Sequence, residues 1–424
     1  MKFKYIITAI SFIALLFYSS LYAQNKNLVL VGMDYDDLLA IREDLKAGKK
    51  EEIILAYKAL IKSADKTLND KPYKVTDGYL PPTGDAHDFF TIGKLAWRNP
   101  DTKDGLPYIR KDGKTNPESQ GDNYDMTRYN STVKRIRTLS LAWFYSQDEK
   151  YADKAAEQLR VWFLNPETRM NPNFNCSSAL PGVYNGMPIG IIFGAQLVGM
   201  IDHVQLLTLS ESWTDKDNDE LKKWFDEYAV WLLTSDFGSI VARATNNHGL
   251  WYSAQLAGSA IYNGRIELAK NIIENAKRQL SDQVAGKDTT YMSGKTPVKC
   301  PRGSLPRELY REDAFSYSKY ALEALCTLAG CAKAIDVDFW NYQTEDGKGL
   351  KLAFEFITPY FTEKKKWEWK TLGKSKNPGV GSLPIIRAAA KAYGTKELKD
   401  AEKYLSSIVD KPNRTWLTSR NSEE

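Results

Sequence analysis

Histidine is nearly missing from this chain, with three in 424 residues, and cysteine is almost as scarce, with four. No Cys-x-x-Cys pair or histidine cluster occurs, so the sequence offers zinc no ligand set and implies no metal or other cofactor. Charge of one sign is lacking too. The formal charge is +5, of which Lys2 and Lys4 supply two, too little to point to nucleic acid as a partner. Beyond the first 23 residues no run approaches about 18 uncharged apolar residues, so nothing in the body of the chain reads as a membrane span. Strand-like alternation is rare, with Asn27–Val31 its best instance. No repeat of fixed length and motif appears, which excludes a TPR or ankyrin array.

What is present is a globular composition, 43% hydrophobic and 26% charged, which excludes wholesale disorder. Aromatics reach 12%, with 11 Trp and 24 Tyr. Most belong in a core, and exposed ones suit sugar rings. Lys2 and Lys4 precede an uncharged run from Tyr5 to Ala23, the pattern of a secretory signal cleaved after Ala23. No Cys follows that site, so a lipid anchor is not expected; the mature chain is expected to be periplasmic or secreted, free of the membrane. Export permits disulfides among Cys176, Cys300, Cys326 and Cys331. Cys326 and Cys331 sit about 140° apart around a predicted helix and should not bridge each other.

Apolar residues recur at a helical period over Leu38–Leu45, Lys50–Ser63, Thr132–Tyr145, Lys150–Phe163, Gly194–Leu209, Asp215–Thr234, Asn247–Tyr262 and Ile266–Gln283. Ser316–Ala334, Leu350–Phe361, Leu383–Tyr393 and Glu397–Ile408 continue the series. The chain reads as mainly α, in antiparallel helix pairs with short connections, as in bundles, solenoids or toroids. One long irregular stretch, Val75–Asn130, carries five prolines and many aromatics. Loops of that length in a compact domain are usually functional or disordered, and the aromatics favour an ordered, functional one.

Each histidine can be weighed singly. His203, inside an apolar helix, reads as a core residue. His87, in Gly84-Asp85-Ala86-His87-Asp88-Phe89-Phe90, could line a sugar subsite or simply structure the loop. His248 stands in Thr245-Asn246-Asn247-His248-Gly249-Leu250-Trp251 at the opening of a helix. Amide and imidazole N–H groups there, with the orphan backbone donors, can converge on a carboxylate. An Asn cap followed by a buried His is the plainer alternative.

A second constellation places Lys295, Lys299, Arg302, Arg307 and Arg311 in one short run against Glu308 alone. That local basic surface suits a polyanion. Tyr317 and Tyr320 follow about one turn apart on a helix and can face the same way. Asp215-Lys216-Asp217-Asn218-Asp219 looks like the start of a calcium loop but lacks its later Gly and Glu, so helix N-terminal acids explain it better. The run Lys364–Lys370 reads as a solvated face.

Taken in order, these segments resemble the alginate lyase superfamily of polysaccharide lyases. The resemblance rests on Gly84–Asp88, Trp97-Arg98-Asn99-Pro100, Gly105–Gly113, Asn116-Pro117-Glu118, Ala155–Leu164, Thr168–Asn173, Pro181–Ile192, Asn246-Asn247-His248 and the Pro306-x-Glu308-Leu309-x-Arg311 segment with Tyr317 downstream. It implies an incomplete (α/α) toroid, here a single domain over 24–424 with a functional loop at about 75–130. It implies β-elimination on an acidic polysaccharide, most simply alginate, with glucuronan or another polyuronate as the alternative. A non-catalytic glycan-binding protein is the reading from a different class.

In the roles the resemblance implies, Asn247 and His248 neutralise the substrate carboxylate with a nearby arginine. Tyr317 protonates the leaving oxygen, and a cationic neighbour would ease its use as a base. The arginine is Arg311, with Arg307 in reserve. Asn246, His87, Asp88, Trp97, Arg98, Arg307, Tyr320 and Trp251 are the expected substrate-binding residues. The spacing from His248 to Tyr317 is long, so Gly286–Gly303 reads as an insertion.

Overall fold

Every segment with a sustained helical period is helical in the computed structural model, which describes residues 28–111, 114–371, 379–410 and 412–424. The export signal expected at 1–23 lies outside the described residues. The helices are α1 (Tyr35–Lys46), α2 (Glu51–Asp65), α3 (Asp125–Ser146), α4 (Glu149–Leu159), α5 (Ala195–Leu207), α6 (Asp215–Thr234), α7 (Asp236–Ala242), α8 (Asn247–Tyr262), α9 (Ile266–Gln283), α10 (Pro306–Leu309), α11 (Ala314–Lys333), α12 (Leu350–Phe361), α13 (Leu383–Tyr393) and α14 (Lys396–Ile408). Strands among the described residues form three short pairs. β1 (Phe90–Ile92) runs parallel to β4 (Cys176–Ala179), β2 (Ala96–Trp97) antiparallel to β3 (Ile109–Arg110), and β5 (Thr289–Ser293) antiparallel to β6 (Thr296–Cys300).

The helices form an incomplete toroid. In its inner layer α3 packs on α5, α5 on α8, α8 on α11 and α11 on α13. Outside, α2 and α4 back α3, α6 and α9 back α8, and α14 backs α13. Sequence dictates the order: beyond its first turn α8 is largely apolar all round, as a helix enclosed on every side can be. Each residue of α8 is buried except His248. The outer α9, with an apolar stripe and a charged face, buries only Ala269, Ile272, Ile273, Ala276, Leu280 and Gln283. The largest apolar cluster of buried side chains runs from Val31 to Leu417.

Three expectations need correction. Leu28–Val31 forms no strand; the N–H groups of Val31, Gly32 and Met33 donate to the Asp202 carboxylate of α5 at 2.7, 2.8 and 2.7 Å. A carboxylate, not a neighbouring strand, satisfies that backbone. Helix α4 ends at Leu159 and passes into a π turn over Arg160–Leu164, so Lys150–Phe163 is not one α-helix. The irregular stretch ends at Tyr124, where α3 begins, and holds β1, β2 and β3. Asp125 of α3 pins it by accepting the Phe90 N–H at 2.7 Å and pairing with Arg128.

All four cysteines are free thiols. The aspartates open α6, with Thr214 as its cap: Thr214 Oγ1 accepts the Asp217 N–H at 3.1 Å and the Asp217 carboxylate accepts that of Thr214 at 3.0 Å. Arg160 then salt-bridges Asp217 at 2.7 Å. In the lysine-rich run, Trp367 and Trp369 pack on each other and on Tyr360, and Trp369 donates to the Lys299 carbonyl at 2.8 Å. That surface is lysine above and aromatic beneath.

Candidate active site

The site assembles where the N-terminus of α8 meets the turn between α10 and α11. Asn246 is the N-cap of α8: its side chain accepts the His248 N–H at 3.2 Å, and its carbonyl accepts from Gln283 Nε2 at 3.2 Å. The chain doubles back tightly here. A Cβ on Gly249 would lie 2.1 Å from the Ala244 carbonyl oxygen, so only glycine fits after His248.

Asn247 is buried and gripped from across the turn by Glu308 of α10, which is completely buried. The Glu308 carboxylate accepts the Asn247 backbone N–H at 2.7 Å and its Nδ2–H at 2.9 Å. Burial pushes Glu308 up to about 7, against the pull of those two bonds and of the Arg311 charge. Among the described residues Asn247 Oδ1 has no partner, and neither has His248 Nδ1.

His248 is the second member. Burial, reinforced by the nearby Arg311 charge, lowers it to about 4, so at neutral pH its ring is uncharged. Arg311 is the third. Its guanidinium lies over the Tyr317 ring, 3.9 Å from the centroid. Tyr317 sits in the first turn of α11, its N–H bonded to the Asp313 carbonyl at 3.0 Å. Arg311 thus faces both the imidazole and the phenol. One turn along α11, Tyr320 packs on Trp251 of α8 with ring centroids 5.0 Å apart, and burial raises its phenol. That aromatic pair ties α8 to α11 beneath the polar groups.

Arg307 points elsewhere. It lies 5.6 Å from the Tyr291 ring and donates to the Tyr291 hydroxyl at 3.3 Å, while Tyr291 stacks on Tyr310 with centroids 5.4 Å apart. The segment read as an insertion is the β5–β6 hairpin, and Arg307 pins it to α10. The other predicted residues lie on the loop before α3. His87 Nδ1 donates to the Arg169 carbonyl at 2.6 Å. Asp88, buried, accepts from Thr83, Asn171 and Asn173 at 2.8, 2.9 and 3.2 Å. Trp97 Nε1 donates to the Lys114 carbonyl at 3.0 Å under the Lys111 ammonium, and Arg98 bridges Glu118 at 2.9 Å beside the Tyr108 ring. His203 is a core residue: its Nδ1 donates to the Gly199 carbonyl at 2.9 Å, and burial holds it well below the usual range. Sequence reasoning passes over Glu308, although a lone acid amid five cations is a signal.

With this geometry in hand, known proteins give it a context. The alginate lyase family model matches residues 75–367, most of the chain. The chain belongs to the alginate lyase family. It is a polysaccharide lyase. The crystal structure of an alginate lyase from Bacteroides ovatus is 29% identical, covering 92% of this lyase and 98% of that chain at a TM-score of 0.82. Alginate lyase A1-III from Sphingomonas species A1 is 15% identical, over 94% of this chain and 98% of its own, at a TM-score of 0.54. A variant of A1-III complexed with tetrasaccharide aligns at 15% identity and 0.52, covering 91% and 94%. These last two likenesses speak to the toroid alone. No curated protein matches this lyase.

Proposed function

We propose that this lyase is exported and cleaves alginate by β-elimination, with Asn247, His248, Arg311 and Tyr317 as its catalytic residues. The reading is carried by one observation: an amide, an uncharged imidazole, a guanidinium and a phenol meet at the head of α8, and two of their buried polar atoms lack partners among the described residues. The 29% identity with the Bacteroides ovatus alginate lyase, over nearly the whole of both chains, supports the substrate. The basic head and apolar run of residues 1–23 support export.

Elimination removes the C5 proton of a uronate and expels the C4 oxygen. That proton is barely acidic while the adjacent carboxylate keeps its full charge. The site must therefore neutralise the carboxylate and hold the enolate that develops, an oxyanion-hole problem. Asn247 and Arg311 are the donors. Tyr317, beneath the Arg311 guanidinium, delivers a proton to the leaving oxygen. On mannuronate, where proton and leaving group share a face, Tyr317 acts as base and then acid. On guluronate the proton leaves from the opposite face and passes to His248. Asn246, Trp251 and Tyr320 hold these groups in register, while Trp97 and Arg98 frame the flanking sugars.

The test follows ultraviolet absorbance of the unsaturated product on separate polymannuronate, polyguluronate and glucuronan. A rise fastest on an alginate block is expected, and Tyr317→Phe should cut it by roughly 10²–10⁴-fold with binding retained. A faster rise on glucuronan would move the substrate. New reducing ends without absorbance would mean hydrolysis and sink the reading.

A further inference from the structure

We propose that Glu308 is a positioning residue: it fixes the orientation of the Asn247 amide and locks it to the arginine that shares its site. The inference rests on the elimination reading above and deepens it. Glu308 bonds to both halves of the cluster. Its side chain takes two donors from Asn247 at the head of α8, and its carbonyl accepts the Arg311 N–H at 3.2 Å. A shift of α10 against α8 would therefore move Asn247 and Arg311 relative to each other.

The clamp also decides which way the amide faces. An ionised carboxylate can only accept, so it holds Nδ2 toward itself and turns Oδ1 away. The second Nδ2 hydrogen is left for the substrate carboxylate. A protonated Glu308 carries a hydroxyl that can donate to Oδ1, and the amide is then free to turn over. Arg311 is the charged group facing Glu308, with His248 next to Asn247 on α8, and burial sets the Glu308 transition at about 7. Activity is therefore expected to rise with pH through that value, as the carboxylate ionises and the amide is held.

Steady-state rates of Glu308→Gln, Glu308→Asp, Asn247→Ala and the Glu308→Gln/Asn247→Ala double variant test this on the preferred polyuronate. Glu308→Gln should lower kcat by roughly 10–100-fold, the cost of a small misplacement, with KM little changed and the pH limb near 7 gone. Glu308→Asp should recover part of the rate and keep the limb. In the Asn247→Ala background, Glu308→Gln should add no further loss. Additive losses, or a Glu308→Gln enzyme with wild-type kcat and limb, would overturn the inference. So would a drop in Tm with full rate per folded molecule. Should Glu308→Gln not fold, a Glu308→Asp enzyme with full kcat and no shift of the limb overturns it equally. A wild-type enzyme that makes no unsaturated product from any uronate refutes the elimination reading itself, a different failure.

Discussion

In the loop before α3, Asp88 gives its carboxylate to Thr83, Asn171 and Asn173, and His87 gives its Nδ1 proton to the Arg169 carbonyl. At the head of α8, Asn247 Oδ1 and His248 Nδ1 are also enclosed and bond to nothing among the described residues. Both regions hold asparagine, histidine and acid near aromatic rings. In the loop these groups bond to Thr83 and to the Arg169–Asn173 segment and hold a shape. At the α8 head an acid outside the cluster holds one member, and the remaining bonding capacity is left open. A buried polar group without a partner costs about 1–3 kcal/mol. Core atoms such as His203 Nε2 bear that cost too, so it marks a site only where such atoms meet the other groups a reaction needs. The difference separates scaffold from site among residues that the sequence motifs group together.

The comparison breaks most readily at the arginines. Arg311 lies flat over Tyr317, whereas Arg307 holds the β5–β6 hairpin through Tyr291. Lysine keeps the charge and loses the planar fork. Arg311→Lys should lower kcat by roughly 10²-fold, the scale of losing one preorganised donor, and Arg307→Lys should change it little. Kinetics of the two variants side by side give the answer. A larger loss for Arg307→Lys would move the site toward the hairpin.

A smaller effect, of another kind, belongs to Asp88. Asp88→Ala removes the buried acceptor of three bonds, those from Thr83, Asn171 and Asn173. It should cost about 1–3 kcal/mol of stability, visible as a lower Tm, with kcat per folded molecule unchanged. A lost kcat at unchanged Tm would place Asp88 with the site and erase the contrast.

Much of the fold is legible in the sequence because it is local. Helical periods need only neighbouring side chains, so the long helices fall where the apolar spacing puts them, within a residue or two at most ends. The head of α8 is legible for the same reason: Asn246, Asn247 and His248 are adjacent, and Gly249 follows because the Ala244 carbonyl leaves no room for a Cβ. What stays hidden depends on long-range partners. Glu308 meets Asn247 across 61 residues, and Val31 meets Asp202 across 171. An unpaired stretch such as Leu28–Val31 looks like a strand until its acceptor proves to be a side chain. Arg307 and Arg311 are one helical turn apart in sequence; the hairpin takes the first and the turn into α11 turns the second toward Tyr317.

The smallest expected effect tests whether the loop touches substrate at all. Trp97 spends its Nε1–H on the Lys114 carbonyl and lies under Lys111, so its polar edge is occupied while its ring is half-exposed. An aromatic contact of this kind is worth about 0.5–1.5 kcal/mol. Trp97→Ala should therefore raise KM for the polymer by roughly 2–10-fold and leave kcat alone. A trisaccharide too short to reach the loop should show no change in KM. An equal rise on the short substrate would mean that the ring acts on the α8 head through the fold, and that loop and site are less separate than their hydrogen bonds make them.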